Sequence, residues 1–157
     1  MQQMVKQNIK SPNLMSLNPI RQDEQTGCGI ASVANTLGLS YQEVKAQANQ
    51  LGIFADDTKL FSDTGYVRTL LAQYNIKTHT EETPFTSWEA LPDLALLAIK
   101  YYEEAGEGFW HWVVFKRVNG QGYVLDSSQS LTSHLRKDFE NMQPKWFISM
   151  SLEPQTL

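Results

Sequence analysis

Along residues 22–37, QDEQTGCGIASVANTL, polar and turn-forming positions give way after Gly27 to Ile30, Val33 and Leu37, spaced by three and four. That period predicts an amphipathic helix whose first turn holds Cys28. Gly38 closes it. Ser40 and Glu43 have the spacing of a capping box, which opens a second helix with Tyr41, Val44, Ala48 and Leu51 on its apolar face and Gly52 as its stop. Val67, Leu70, Leu71 and Tyr74 predict a third helix over residues 65–74. The aspartates before it, Asp56, Asp57 and Asp63, lack the alternating ligands, central glycine and terminal Glu of a calcium loop, and read as helix caps and solvated side chains.

From Ile76 the period changes. IKTHT (76–80) alternates as a short half-buried strand, Pro84 ends it, and Ser87 caps a single turn holding Trp88. LALLAI (94–99) is a continuous apolar run of strand length, the pattern of a strand covered on both faces and hence the centre of a sheet. A glycine-containing loop is expected over 103–108. WHWVVFKRV (110–118) and the strand opening at Tyr123 then flank Asn119-Gly120, the strongest short hairpin signal in the chain. Residues 131–142 predict a further helix, and KWFISMSL (145–152) a last strand. Residues 1–18 are polar, non-periodic and interrupted by Pro12, with Met4 and Met15 as further possible starts. They read as a flexible lead-in, leaving 19–157 as a single α+β domain.

Composition narrows the function. A chain of 157 residues with 41% hydrophobic, 11% aromatic and 19% charged content suits one globular domain with a sizeable core. The net charge of −4 provides no basic footprint, so no nucleic-acid partner is expected. One cysteine excludes an internal disulfide and a thiolate-rich metal site, and the three histidines are scattered, so no metal or other cofactor is expected. The longest apolar run, residues 94–99, is far too short to span a bilayer, and the N-terminus lacks the apolar core of a secretory signal. The expectation is a soluble protein of a reducing compartment, cytoplasmic or exported without a classical signal peptide.

Candidate chemistry begins at Cys28. A free cysteine often serves as a small core hydrophobe, but its neighbours here are Thr26, Gly27 and Gly29. At a helix start, the unpaired N–H groups and the positive end of the dipole favour a thiolate. The hairpin supplies the rest. With Asn119-Gly120 as a two-residue loop, Val118 faces Gln121, and counting back sets Val113 opposite Asp126. A four-residue loop moves the pairing but not its parity. Either way His111 and Asp126 share a face and lie diagonally adjacent. Thiol, base and a group that orients the base are the parts of an activated nucleophile. His79, alone on its strand, and His134, on the expected surface helix, have no such company.

On these residues the sequence resembles the papain-like cysteine peptidases, and among them the bacterial double-glycine leader peptidases (peptidase C39-like) that process bacteriocin precursors, with their stand-alone relatives. The resemblance is carried by Gln22, five intervening residues, Cys28-Gly29 and a small-residue helix, then His111-Trp-Val-Val, then Asp126 after the hairpin. It covers residues 22–127. It implies a papain-like fold, a helical N-terminal half whose catalytic helix packs on an antiparallel sheet, with Cys28 as nucleophile, His111 as base and Asp126 holding the imidazole. It further implies an oxyanion hole formed by the Gln22 amide and the Cys28 N–H. Gly27 and Ser127 stand where the family often has Asp and Pro, both in loops. The expected activity is peptide-bond hydrolysis through an acyl-cysteine, on a peptide or protein substrate. The same residues serve glutamine deamidation or acyl transfer in an effector-like protein. An alternative of another class is a catalytically silent peptide-binding module whose groove is lined by Trp88, Trp110 and Trp112; in the enzyme, Trp110 and Trp112 are the expected groove residues.

Overall fold

The computed structural model describes residues 13–152. Three α-helices come first, α1 (Cys28–Leu37), α2 (Tyr41–Gln50) and α3 (Gly65–Ala72), with a 3₁₀ turn, Thr58–Ser62, between the last two. Seven strands follow: β1 (Ile76–Thr78), β2 (Thr83–Pro84), β3 (Leu94–Glu104), β4 (Glu107–Val118), β5 (Gln121–Leu125), β6 (Leu135–Arg136) and β7 (Pro144–Leu152). They form an antiparallel sheet in the order β1-β7-β3-β4-β5-β6, with β2 pairing β7. The architecture is α+β.

Local chemistry accounts for most boundaries. Ser40 caps α2 in a complete capping box with Glu43, and Gly38 ends α1 in the left-handed conformation. Asp57 caps the 3₁₀ turn through Lys59 N–H. Alternating residues divide the sheet into two faces. Leu96, Trp112, Val114, Leu125 and Ile148 form one core with the three helices, while Leu97, Val113, Phe115 and Val124 join Leu91 and Met142 on the other. Residues 94–99 lie between β7 and β4 and are buried in both directions, as their continuous apolar pattern predicts.

Helix α1 is buried along all ten residues. Its axis is pinned to β4 at both ends. At the C-terminal end the Lys116 ammonium, interior on β4, donates to the carbonyls of Thr36 (3.2 Å) and Ser16 (2.8 Å), a cation placed at the negative end of the dipole. Burial pushes the Lys116 pKa down to about 8. At the N-terminal end, Cys28 meets β4 at His111.

Three sequence expectations are corrected. Residues 13–18 are no flexible lead-in: Leu14 and Leu17 pack on the core, and Asn13 N–H bonds the Leu37 carbonyl at 2.7 Å. Residues 1–12 lie outside the described residues. The loop over 103–108 contracts to the pair Ala105-Gly106, both at positive φ, so β3 and β4 run on to within two residues of each other. Over 131–142 there is no α-helix but β6 and a 3₁₀ turn, Phe139–Asn141. Ser128, Ser130 and Ser133 bond locally there, an alternative to helical pairing, and β6 completes the edge of β5.

Candidate active site

Cys28 is the first helical residue of α1, with Gly27 at the N-cap. No side chain caps this end, no acidic residue occupies its first turn, and the helix itself supplies no acceptor for the Cys28 N–H. The flanking glycines are set by sterics. A Cβ on Gly27 would lie 2.3 Å from the Tyr41 hydroxyl, and one on Gly29 would lie 2.0 Å from that of Tyr66. Two tyrosines from α2 and α3 therefore press on the backbone either side of the thiol. Burial, then the proximity of Cys28, push the Tyr66 hydroxyl well above its ordinary range.

The approach to the helix is held by Gln22, itself 4% exposed. Its amide donates to the carbonyls of Glu24 (2.9 Å) and Gln25 (3.0 Å), and its oxygen accepts from the Ser127 hydroxyl at 2.8 Å. Two carbonyl acceptors settle which end of the amide is nitrogen. Gln22 N–H also bonds the Ser127 carbonyl at 3.0 Å, and Gln129 donates to the Asp23 carbonyl at 2.7 Å. The segment after Asp126 is thereby stitched to the segment before Cys28. Glu24 accepts from Tyr41 and Lys45, anchoring the same loop to α2.

The β4–β5 hairpin has the two-residue Asn119-Gly120 turn, with Val118 opposite Gln121 and pairing maintained to Val114 and Leu125. Beyond that pair β5 ends, leaving residues 107–113 of β4 unpaired on that side; α1 and the 3₁₀ turn both pack against β4. His111 and Asp126 project there together. The imidazole Nε2 lies 2.7 Å from Asp126 Oδ1, and the carboxylate is fully buried. With Nε2 so engaged, Nδ1 is the ring nitrogen left for a second partner, and the Cys28 side chain lies close enough to the ring to act on it. Burial alone would lower the His111 pKa, but the bond to Asp126 and then the Cys28 side chain push it up to about 9. Burial would raise that of Asp126; His111, the Ser128 N–H and Arg136 outweigh it and hold the carboxyl at about 2. The imidazole and the carboxylate are thus paired, with the Cys28 side chain beside the ring, where helix meets sheet.

The chain has the fold of a double glycine motif protease. The solved structure in question is that of a protease from an AMS/PCAT transporter, determined in complex with the leader peptide; it matches with a TM-score of 0.54 over 90% of this chain and 94% of that one, at 15% identity. No protein-family model matches this sequence, and no curated protein does. In this fold the helix-to-sheet junction described above is formed by residues far apart in sequence.

Other expected residues fall elsewhere. Trp112 is 1% exposed and packs edge-on against Trp110 and Trp146, so it is a core residue and cannot line a groove. Trp110 is half-buried and, with Trp146 and Tyr101, borders a cavity of about 490 Å³ beside the 3₁₀ turn. Trp88 lies on the opposite side of the sheet against Phe85, Phe115 and Phe139. His79 is exposed on the strap after β1. His134 is no free surface histidine: its Nδ1 lies 2.8 Å from the Asp126 carbonyl, and its own carbonyl accepts from Asp126 N–H. Among the described residues, no group of three or more His, Cys, Asp or Glu is placed to hold a metal ion, and no helix is long and apolar enough to cross a membrane.

Sequence reasoning missed Arg136, Ser127 and the two tyrosines. Arg136 donates to Asp126 Oδ2 at 2.9 Å and grips Asp138 with two further bonds of 2.9 and 2.7 Å. The helical spacing read over 131–142 concealed it; the Ser and Thr residues that open that stretch were the available signal for irregular backbone. The tyrosines are marked only by apolar periodicity, which does not reveal what a hydroxyl touches.

Proposed function

We propose that the protein is a cysteine peptidase that cleaves a peptide bond through an acyl-cysteine. The observation that carries this reading is the His111–Asp126 pair, 2.7 Å apart at Nε2 and Oδ1, with the Cys28 side chain beside the imidazole. Cys28 Sγ attacks the scissile carbonyl carbon. His111 gives its proton to the departing amine, then takes one from the water that hydrolyses the thioester, and Asp126 holds the ring in register throughout. The developing oxyanion is met by the Cys28 N–H and by the Gln22 amide, one of whose hydrogens leaves a loop carbonyl for the substrate. Each such donor contributes on the order of 3 kcal/mol to the barrier.

A peptide substrate is supported by the fold neighbour solved with a leader peptide. We assign the apolar part of a peptide groove to the half-buried Trp110, which with Trp146 and Tyr101 borders a cavity otherwise lined mainly by polar and charged residues. The interior position of Trp112 weakens the alternative of a silent tryptophan-lined binding module. The deciding experiment is iodoacetamide alkylation at about pH 6, where an ordinary thiol of pKa ~8.5 is almost wholly protonated, followed by turnover of a peptide library. Wild type is expected to react and to cleave, His111→Ala to react slowly, and Cys28→Ala to fold without turnover. Turnover undiminished in Cys28→Ala would overturn the mechanism.

A further inference from the structure

The Asp126 carboxylate has two charged partners, one on each oxygen. His111 Nε2 occupies Oδ1 and Arg136 Nη1 occupies Oδ2, both within 2.9 Å. Neither oxygen is left to swing. Arg136 is itself fixed, because Nε and Nη2 engage the two oxygens of Asp138 as a fork, and because β6 pairs Leu135 with Leu125 and Arg136 with Val124. The backbone bond from Asp126 N–H to the His134 carbonyl, and the His134 Nδ1 against the Asp126 carbonyl, lock the same corner.

We propose that Arg136 is a positioning residue that divides the Asp126 carboxylate with His111 and so sets the pH at which the imidazolium releases its proton. This rests on the peptidase reading above and adds a residue to it. The groups around the imidazole are Cys28 from α1, with Tyr66 of α3 beside it, Asp126 from the end of β5, and His134, Arg136 and Asp138 from the segment containing β6; on β3, Ile99 pairs with His111. A carboxylate wholly given over to His111 would hold the imidazolium too firmly for it to act as an acid toward a leaving amine. The guanidinium, charged at every working pH, withdraws part of that charge. Asp126 stays ionised and the ring stays able to donate.

The test is the pH titration of the His111 ring by NMR, assigned against His111→Ala, alongside the pH profile of Cys28 alkylation, in wild type, Arg136→Gln and Arg136→Lys. Arg136→Gln removes the charge, and both profiles should move upward by about one pH unit; Arg136→Lys keeps the charge and should return them to the wild-type position. A brace with only a structural role would lower stability without moving either profile. Unmoved or downward-shifted profiles in folded Arg136→Gln would overturn the proposal, and Arg136→Met reads the same quantity if the glutamine variant does not fold. Failure of the peptidase reading looks different: Cys28 alkylation would be indifferent to His111→Ala in the wild-type background, while the His111 titration would still report Arg136.

Discussion

The two halves of the site are held by different physics. On the nucleophile side, Cys28 is placed chiefly by packing and neutral hydrogen bonds: a fully buried helix, two tyrosines seated against glycines, and a glutamine amide bonded to loop carbonyls, with the Glu24–Lys45 ion pair and the Lys116 ammonium holding the loop and the far end of the helix. On the base side, His111 is placed by charge, in a chain that runs through Asp126 and Arg136 to Asp138. Steric placement is insensitive to pH and tolerates no added volume. Charged placement tolerates changes of shape but depends on protonation. On the proposed peptidase reading, a thiol nucleophile needs its backbone fixed, whereas its base must change charge twice per turnover, and each half is built from the interaction that suits its task.

The sharpest way to break the contrast is volume on the nucleophile side. Gly29→Ala should destabilise the fold by about 3 kcal/mol, because its methyl would fall on the buried Tyr66 hydroxyl. The loss should be the same at pH 6 and pH 9 in chemical denaturation. A pH-dependent cost would show that charge, not packing, governs this side.

The base side should show the opposite behaviour. The folded His111 pKa, about 9, lies above the reference 6.5, so its contribution to stability is fully present below pH 6.5 and is lost as pH rises through 9. The unfolding free energy should fall across that window by roughly 3 kcal/mol in wild type, and this component should be missing from His111→Ala. Identical profiles for the two proteins would refute the charged placement.

The smallest effect sharpens the seam between the halves. Ser127→Ala leaves the Gln22–Ser127 backbone bond in place but removes the donor to Gln22 Oε1. A cost of about 1 kcal/mol is expected, together with a modest fall in the Cys28 alkylation rate. No change in either quantity would mean that the hydroxyl does not connect the two sides.

Much of this was legible before any coordinates. The helix start at Cys28 follows from the change of period after Gly27, and the shared face of His111 and Asp126 follows from Asn119-Gly120 and strand parity; both depend on neighbours a few residues away. The same local logic misled over 131–142, where apolar spacing suited a helix but pairing with the β5 edge prevailed. It also missed the tight turn at Ala105, since alanine at positive φ is disfavoured locally and adopted here to join two long strands of the central sheet. Trp110 and Trp112 looked equivalent in sequence; only the packing of three indoles on the helix-covered face separates the half-buried one from the interior one.

What the sequence determined by itself was therefore the set of local geometries: where helices begin and cap, which strand is central, and which side chains share a face. What only the tertiary structure decided was which of those local pieces meet. Cys28 comes near His111 because α1 packs on β4, and Arg136 reaches Asp126 because a two-residue strand closes on β5. Periodicity and turn chemistry are short-ranged and can be read in order along a chain, whereas contacts across the fold depend on how whole elements pack.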